Sequence, residues 1–173
     1  MARILLLTGT PGVGKTTLMG SLLAALRERR VGGFTTGEIR EGGRRLGFRI
    51  VPHRGTERIM AHVERRGSPR VGRYGVDVKA IDEAARESLA LDPEVEIYLV
   101  DEIGKMECYS RQFVLRMTEL FDSGKTIVAT IGRDPGGFIA AVRRRPDAEL
   151  WEVTPSNREA LVERVLTWLA RNS

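Results

Sequence analysis

Cysteine is almost missing from this chain. Cys108 is the only one, so no intrachain disulfide can form and a cysteine-built metal centre is excluded. The two histidines, His53 and His62, lack metal-ligand spacing and read as surface residues. No apolar run reaches the ~18 residues needed to span a bilayer. Low-complexity tracts, internal repeats and linkers are absent, so the 173 residues read as a single domain, 1–173, with a sizeable core. Residues 3–8 run straight into a glycine-rich turn. They therefore read as a buried strand rather than a signal peptide, and a cytoplasmic location is the default expectation. Lysine is scarce, at Lys15, Lys79, Lys105 and Lys125 alone.

What the chain does carry is arginine, in a net charge of +5. Its basic clusters are Arg27–Arg30, broken by Glu28, then Arg65–Arg66 and Arg143–Arg145. Aromatics make up only 6% and interleave with none of these clusters. Acidic residues lie among most of them. A solvated surface is favoured over a nucleic-acid patch, which the charge admits without supporting.

Strands and helices alternate. Arg3 to Thr8 is a nearly continuous apolar run, as in a strand buried on both faces. Lys15 to about Arg29 shows helical spacing through Leu18, Leu22, Leu23 and Leu26, with Gly32-Gly33 as its stop. Phe34–Arg40 and Leu46–Val51 flank Glu41-Gly42-Gly43-Arg44 and predict a β-hairpin. Residues 53–78 give a weaker signal, with a short helix around Ile59–Glu64, a strand around Arg73–Val78 and then a helix over Lys79–Leu91. Further strands are predicted at Val95–Val100, Thr126–Ile131 and Glu149–Val153. Ser110 caps a helix carrying Phe113, Met117, Leu120 and Phe121, which Gly124 stops. Ser156-Asn157-Arg158-Glu159 has capping-box spacing and opens the last helix. The class is α/β, with a largely parallel sheet, helices on both faces and an antiparallel hairpin extension.

Gly9-Thr10-Pro11-Gly12-Val13-Gly14-Lys15-Thr16 satisfies G-x-x-x-x-G-K-[ST] between a predicted strand and a predicted helix. The helix start offers free N–H groups and a positive dipole end to phosphates. Gly9 to Thr17 are thus the expected triphosphate-binding residues. Lys15 would reach the β- and γ-phosphates, and Thr16 would ligate Mg²⁺. Asp101 ends a hydrophobic strand, where a Walker B carboxylate belongs, and is the second expected Mg²⁺ residue. Glu102 follows and could polarise an attacking water. Neighbours on an extended strand point to opposite faces, so Glu102 reaches the γ-phosphate only if the backbone leaves the sheet there. Thr130 could sense the γ-phosphate or be a plain strand residue. Arg133 is the candidate for stabilising transition-state charge. Trp151 and Trp168 read as packing, and Cys108 as a filler.

These motifs, with Gly33 to Phe48, Val71-Gly72-Arg73-Tyr74-Gly75-Val76-Asp77 and Val100-Asp101-Glu102-Ile103-Gly104-Lys105-Met106-Glu107, resemble the small P-loop nucleoside-triphosphatase family of thermophilic prokaryotes and humans. Thr154 with Asn157-Arg158 extends the likeness nearly end to end. The resemblance implies a RecA-like fold and slow, Mg²⁺-dependent hydrolysis of several nucleoside triphosphates, ATP and GTP among them, to diphosphates. It also implies Glu102 as the base-like residue and Lys105 as an active-site group. The alternatives are a nucleotide or small-molecule kinase, an ATP-dependent nucleic-acid-binding module, and a non-catalytic nucleotide-binding scaffold.

Overall fold

The computed structural model describes residues 3–67 and 69–173. In chain order its elements are β1 (Ile4–Thr8), α1 (Lys15–Ala25), β2 (Val31–Glu41), β3 (Arg44–Pro52), β4 (Arg58–His62), β5 (Arg70–Val71), β6 (Tyr74–Val76), α2 (Val78–Ser88), β7 (Ile97–Ile103), α3 (Arg111–Asp122), β8 (Thr126–Ile131), α4 (Gly137–Arg143), β9 (Ala148–Glu152) and α5 (Arg158–Asn172), with a 3₁₀ turn at Glu107–Tyr109.

The strands join into one sheet in the order β5-β6-β4-β3-β2-β7-β8-β1-β9. The run β2-β7-β8-β1-β9 is parallel, and the order of those five strands is RecA-like. From β2 outward, β3, β4, β6 and β5 are antiparallel, so the predicted hairpin grows into an extension of the sheet. Central strands show why both faces need cover. Leu5 and Leu7 of β1 pack with Leu18 and Leu22 of α1 and Leu161 and Val165 of α5. Ile4 and Leu6 face the opposite cluster, which holds Ile81 of α2, Phe113 and Met117 of α3 and Ile139 of α4. The period-two alternation of buried apolar residues thus puts α1 and α5 on one face and α2, α3 and α4 on the other. The carboxyl ends of the parallel strands lie at one edge, where open α/β sheets bind ligands.

Several local expectations are corrected. Residues 59–62 are strand, not helix: Ala61 and Met60 are buried, and Phe48 of β3 pairs with Ala61. Cross-strand pairing outweighs a short helical pattern. Helix α1 ends at Ala25, before the glycines, and Gly32-Gly33 lies inside β2. Gly33 has φ +98°, and a Cβ there would lie 2.0 Å from the Leu99 carbonyl oxygen, so glycine serves the close approach of β2 to β7. The capping box does not form. The Asn157 side chain instead accepts from the Thr154 N–H at 2.8 Å, and α5 has no side-chain cap. The Ser110 cap does form, with its hydroxyl accepting from the Phe113 N–H at 3.0 Å. His53 is turned inward, its Nε2 3.0 Å from the Leu99 carbonyl oxygen. Helix α4 had no clear signal in the sequence.

Candidate active site

The turn from β1 into α1 is braced from behind. A Cβ on Gly9 would come within 2.8 Å of both the Val153 carbonyl oxygen and a Val13 methyl, so only glycine lets the loop lie flat on the end of β9. Arg158, the first residue of α5, donates to the Val13 carbonyl oxygen at 3.2 Å. Gly14, at φ +108°, precedes α1, which has no side-chain cap and no acidic residue in its first turn. Its first N–H groups are left for an anion. Lys15 folds back along the loop and donates from Nζ to the Gly9 carbonyl oxygen at 2.8 Å. Of the loop residues singled out, Val13 is buried and turns its side chain into the core under α1.

At the end of β7, Asp101 is only 2% exposed. Its Oδ1 accepts from the Thr130 hydroxyl of β8 at 2.7 Å. Its Oδ2 is buried and has no hydrogen-bond partner among the described residues. Burial pushes this carboxyl up, against the pull of the Thr130 and Thr16 hydroxyls and the Lys15 charge. Glu102 is likewise pushed up by burial, drawn down by Lys15 and raised again by Asp101. Both carboxylates line the same cleft. The sheet register explains how, because between Val100 and Ile103 β7 spends one residue more than β8 does. That bulge frees the second side chain from strict alternation. The Asp101–Glu102 peptide is cis. The Thr130 hydroxyl is thus committed to Asp101 here.

Behind Glu102 stands a carboxyl to which the sequence assigned no role. Glu107, in the 3₁₀ turn, is 3% exposed. Burial, followed by the neighbouring Glu102 charge, pushes it up to about 8, so it is neutral at pH 7. The only signal for it was its place in the Asp101–Glu107 run. Cys108, pushed up to about 12 mainly by burial, stays a thiol and fits the filler reading.

These groups line one cleft of about 610 Å³. Its inner part holds the turn from β1 into α1 with Lys15, Thr16 and Thr17, and Asp101 and Glu102, with the exposed Lys105 and Arg133 at its edge. Its outer part runs over β2 and β3 to Arg45 and Phe48. A nucleotide-phosphate site open to solvent fits this arrangement, and the sequence family decides which kind it is. The family model described as NTPase matches residues 4–166. This chain belongs to the NTPase family. It is 40% identical over 169 residues to the nucleoside-triphosphatase THEP1 of Thermotoga sp. (strain RQ2), covering 97% of this chain and 96% of that one. It is 34% identical over 183 residues to the human cancer-related nucleoside-triphosphatase, covering 96% of each. The crystal structure of THEP1 from Aquifex aeolicus superposes with a TM-score of 0.79 at 34% identity, over 95% of this chain and 98% of that one. The solution structure of the human cancer-related nucleoside triphosphatase gives 0.81 at 34% identity, over 99% and 100%.

Within this NTPase, Lys105 is exposed and lines the cleft. Arg133 lines it too, but its guanidinium pairs with Glu152 at 2.9 Å in the open, an ion pair worth little. Two further arginines carry structure that the sequence did not reveal. Arg143 of α4, read only as part of a basic cluster, donates to the Thr8 hydroxyl and the Gly132 carbonyl oxygen, each at 3.0 Å. It ties the ends of β1 and β8 together just below the site. Arg45 is held by Tyr74 and Glu38 on the outer wall. The contacts of Arg143 with Thr8 and of Arg45 with Tyr74 could not be read from spacing, because those partners lie far away in the chain. Among the described residues, no helix is long and apolar enough to cross a membrane.

Proposed function

We propose that this NTPase hydrolyses nucleoside triphosphates to the diphosphate and phosphate with Mg²⁺ as cofactor, with Glu102 aligning the attacking water and with loose selectivity for the base. The observation that carries this reading is the shared cleft, lined by the P-loop with Lys15 and by the buried Asp101 and half-buried Glu102. Lys15 would leave the Gly9 carbonyl for the β- and γ-phosphate oxygens, and the N–H groups from Gly12 to Thr17 would cradle the phosphates. Glu102 would accept a hydrogen bond from water and set it in line with the leaving oxygen. In a loose phosphoryl-transfer transition state, this placement matters more than full removal of the proton.

The residues suit Mg²⁺. The Asp101 Oδ2 is a buried acceptor without a hydrogen-bond donor among the described residues, and Thr16 supplies a hydroxyl to the same carboxyl. One carboxylate, one hydroxyl and the substrate's phosphates make the hard, oxygen-only set that Mg²⁺ takes, rather than an all-protein cage. When bound, Mg²⁺ neutralises charge on the phosphate oxygens. Arg133 would have to leave Glu152 to act as an arginine finger, and Lys105 would add positive charge at the mouth. Without a finger, turnover on the order of 10⁻⁴ to 10⁻³ s⁻¹ is expected.

Loose base selectivity is expected because the groups identified around the substrate, Lys15, Thr16, Asp101 and Glu102, all address phosphates and Mg²⁺. Sites that discriminate strongly do so with buried polar groups. A phosphate-release panel over ATP, GTP, CTP and UTP, with and without Mg²⁺, tests the whole reading. Release from all four, within about a hundredfold of one another and abolished by chelation, is expected. No release from any triphosphate would refute hydrolysis, and one dominant base would refute the loose site.

A further inference from the structure

The triphosphate needs only part of the cleft. The groups that address it stand at the ends of β1 and β7, yet the cleft continues past β7 over β2 and β3 to Arg45, Phe48, Met60 and Val71. Lys15 meets the β- and γ-phosphates, and the strand order places Asp101 and Glu102 between the P-loop and this outer chamber. The chamber therefore adjoins the γ end of the phosphate chain. The substrate's own nucleoside, attached at the other end of that chain, would extend away from the chamber.

The chamber wall is built from interlocked side chains. The Arg45 guanidinium lies 5.1 Å over the Phe48 ring and 5.6 Å over the Tyr74 ring. Its Nε donates to the Tyr74 hydroxyl at 2.8 Å, and its NH1 to Glu38 at 3.1 Å. Phe48 and Tyr74 pack edge to face at 5.1 Å, and Met60 is buried beside them. A fixed guanidinium, an aromatic ring and a thioether form a surface that favours a planar ring and reads little of its edge. Charge then selects among flat-ringed ligands. Asp101 and Glu102 gather at the inner mouth. A second phosphate there would meet like charge, whereas a neutral hydroxyl would meet a carboxylate able to accept its proton.

The geometry points to an acceptor subsite: the outer chamber takes a nucleoside and presents its 5′-hydroxyl to the γ-phosphate, adding phosphotransferase activity to hydrolysis at the same centre. This rests on the NTPase reading of the inner site. In the transfer, the hydroxyl oxygen forms a bond to the γ-phosphorus as the bond from that phosphorus to the β–γ bridging oxygen breaks. The bridging oxygen departs with its electron pair on the nucleoside diphosphate, and the hydroxyl proton passes to Glu102. The products are a nucleoside monophosphate and a nucleoside diphosphate, and no further reactant is needed. With the chamber empty, water takes the hydroxyl's place.

The test uses the full chain, ATP labelled in the γ-phosphate, Mg²⁺, and an excess of adenosine, guanosine, cytidine or uridine, with the four monophosphates as parallel acceptors. Label is expected in the nucleoside monophosphates. The ratio of transferred to released phosphate should fall about tenfold or more, the scale of a lost apolar contact, in Phe48→Ala and in Val71→Trp. The second variant fills the chamber from the half-buried strand β5 without emptying the core, so it decides the matter if the first does not fold. Label in inorganic phosphate alone, transfer only to monophosphates, or an unchanged ratio in the folded variants would each overturn the proposal. Phosphate release without acceptor is scored separately; its loss would count against the NTPase reading itself.

Discussion

Glu107→Gln should change how stability depends on pH. The parent carboxyl titrates near 4.5 in an unfolded chain and is pushed up to about 8 in the fold, first by burial and then by the Glu102 charge. Between those values the folded state holds a proton that the unfolded state has released. The stability contributed by the neutral carboxyl is therefore fully present below pH 4.5 and lost as pH rises towards 8. At ~1.4 kcal/mol per pH unit, the span from 4.5 to about 8 sets a ceiling of about 5 kcal/mol. That is a large share of the ~5–15 kcal/mol that holds a domain folded. Glutamine keeps the shape and an acceptor oxygen but never ionises. Asp101 and Glu102 are raised in the same direction and give both proteins a common slope, so the difference between the two isolates Glu107. Urea unfolding of each at pH 5, 6.5 and 8 is the assay. The variant should gain on the parent by several kcal/mol across that range. Parallel curves from pH 5 to 8 would show that Glu107 is ionised or solvated in the fold, and the reasoning would fail.

Three further outcomes are expected. Glu102→Gln should retain triphosphate affinity in a binding titration while single-turnover hydrolysis falls about a hundredfold or more, the usual size of a positioned acid–base group; a parent-like rate would make Glu102 structural. Lys15→Ala should weaken triphosphate binding and turnover together, since in the proposed reading its ammonium would serve the bound and transition states alike, and equilibrium binding with initial rates would expose an unaffected variant. Gly33→Ala should lose about 2–4 kcal/mol in thermal or urea unfolding, because a Cβ would meet the Leu99 carbonyl oxygen at 2.0 Å and the residue must hold φ +98°; a neutral effect would mean that β2 and β7 part easily.

Whatever depends on local chemistry was legible in the chain. The order of strands and helices, the parallel class and the glycine-rich turn from β1 into α1 follow from short-range periodicity and from glycine, lysine and threonine at fixed spacing. The same holds for the Ser110 cap and for Asp101 at a strand end. A period of two or 3.6 is a property of neighbouring residues, so it survives without knowledge of the fold. Pairing decided the rest. Residues 59–62 became a strand because β3 offered an open edge, and Gly33 matters because Leu99, far along the chain, crosses it. Adjacent carboxylates share one cleft because β7 bulges against β8. Glu107 gained its elevated pKa only by burial beside Glu102, and Arg143 and Arg45 found partners on other strands. Burial and long-range contacts are sums over residues that the sequence separates, so the tertiary structure alone sets the charge state, the orientation and the outer wall of this site.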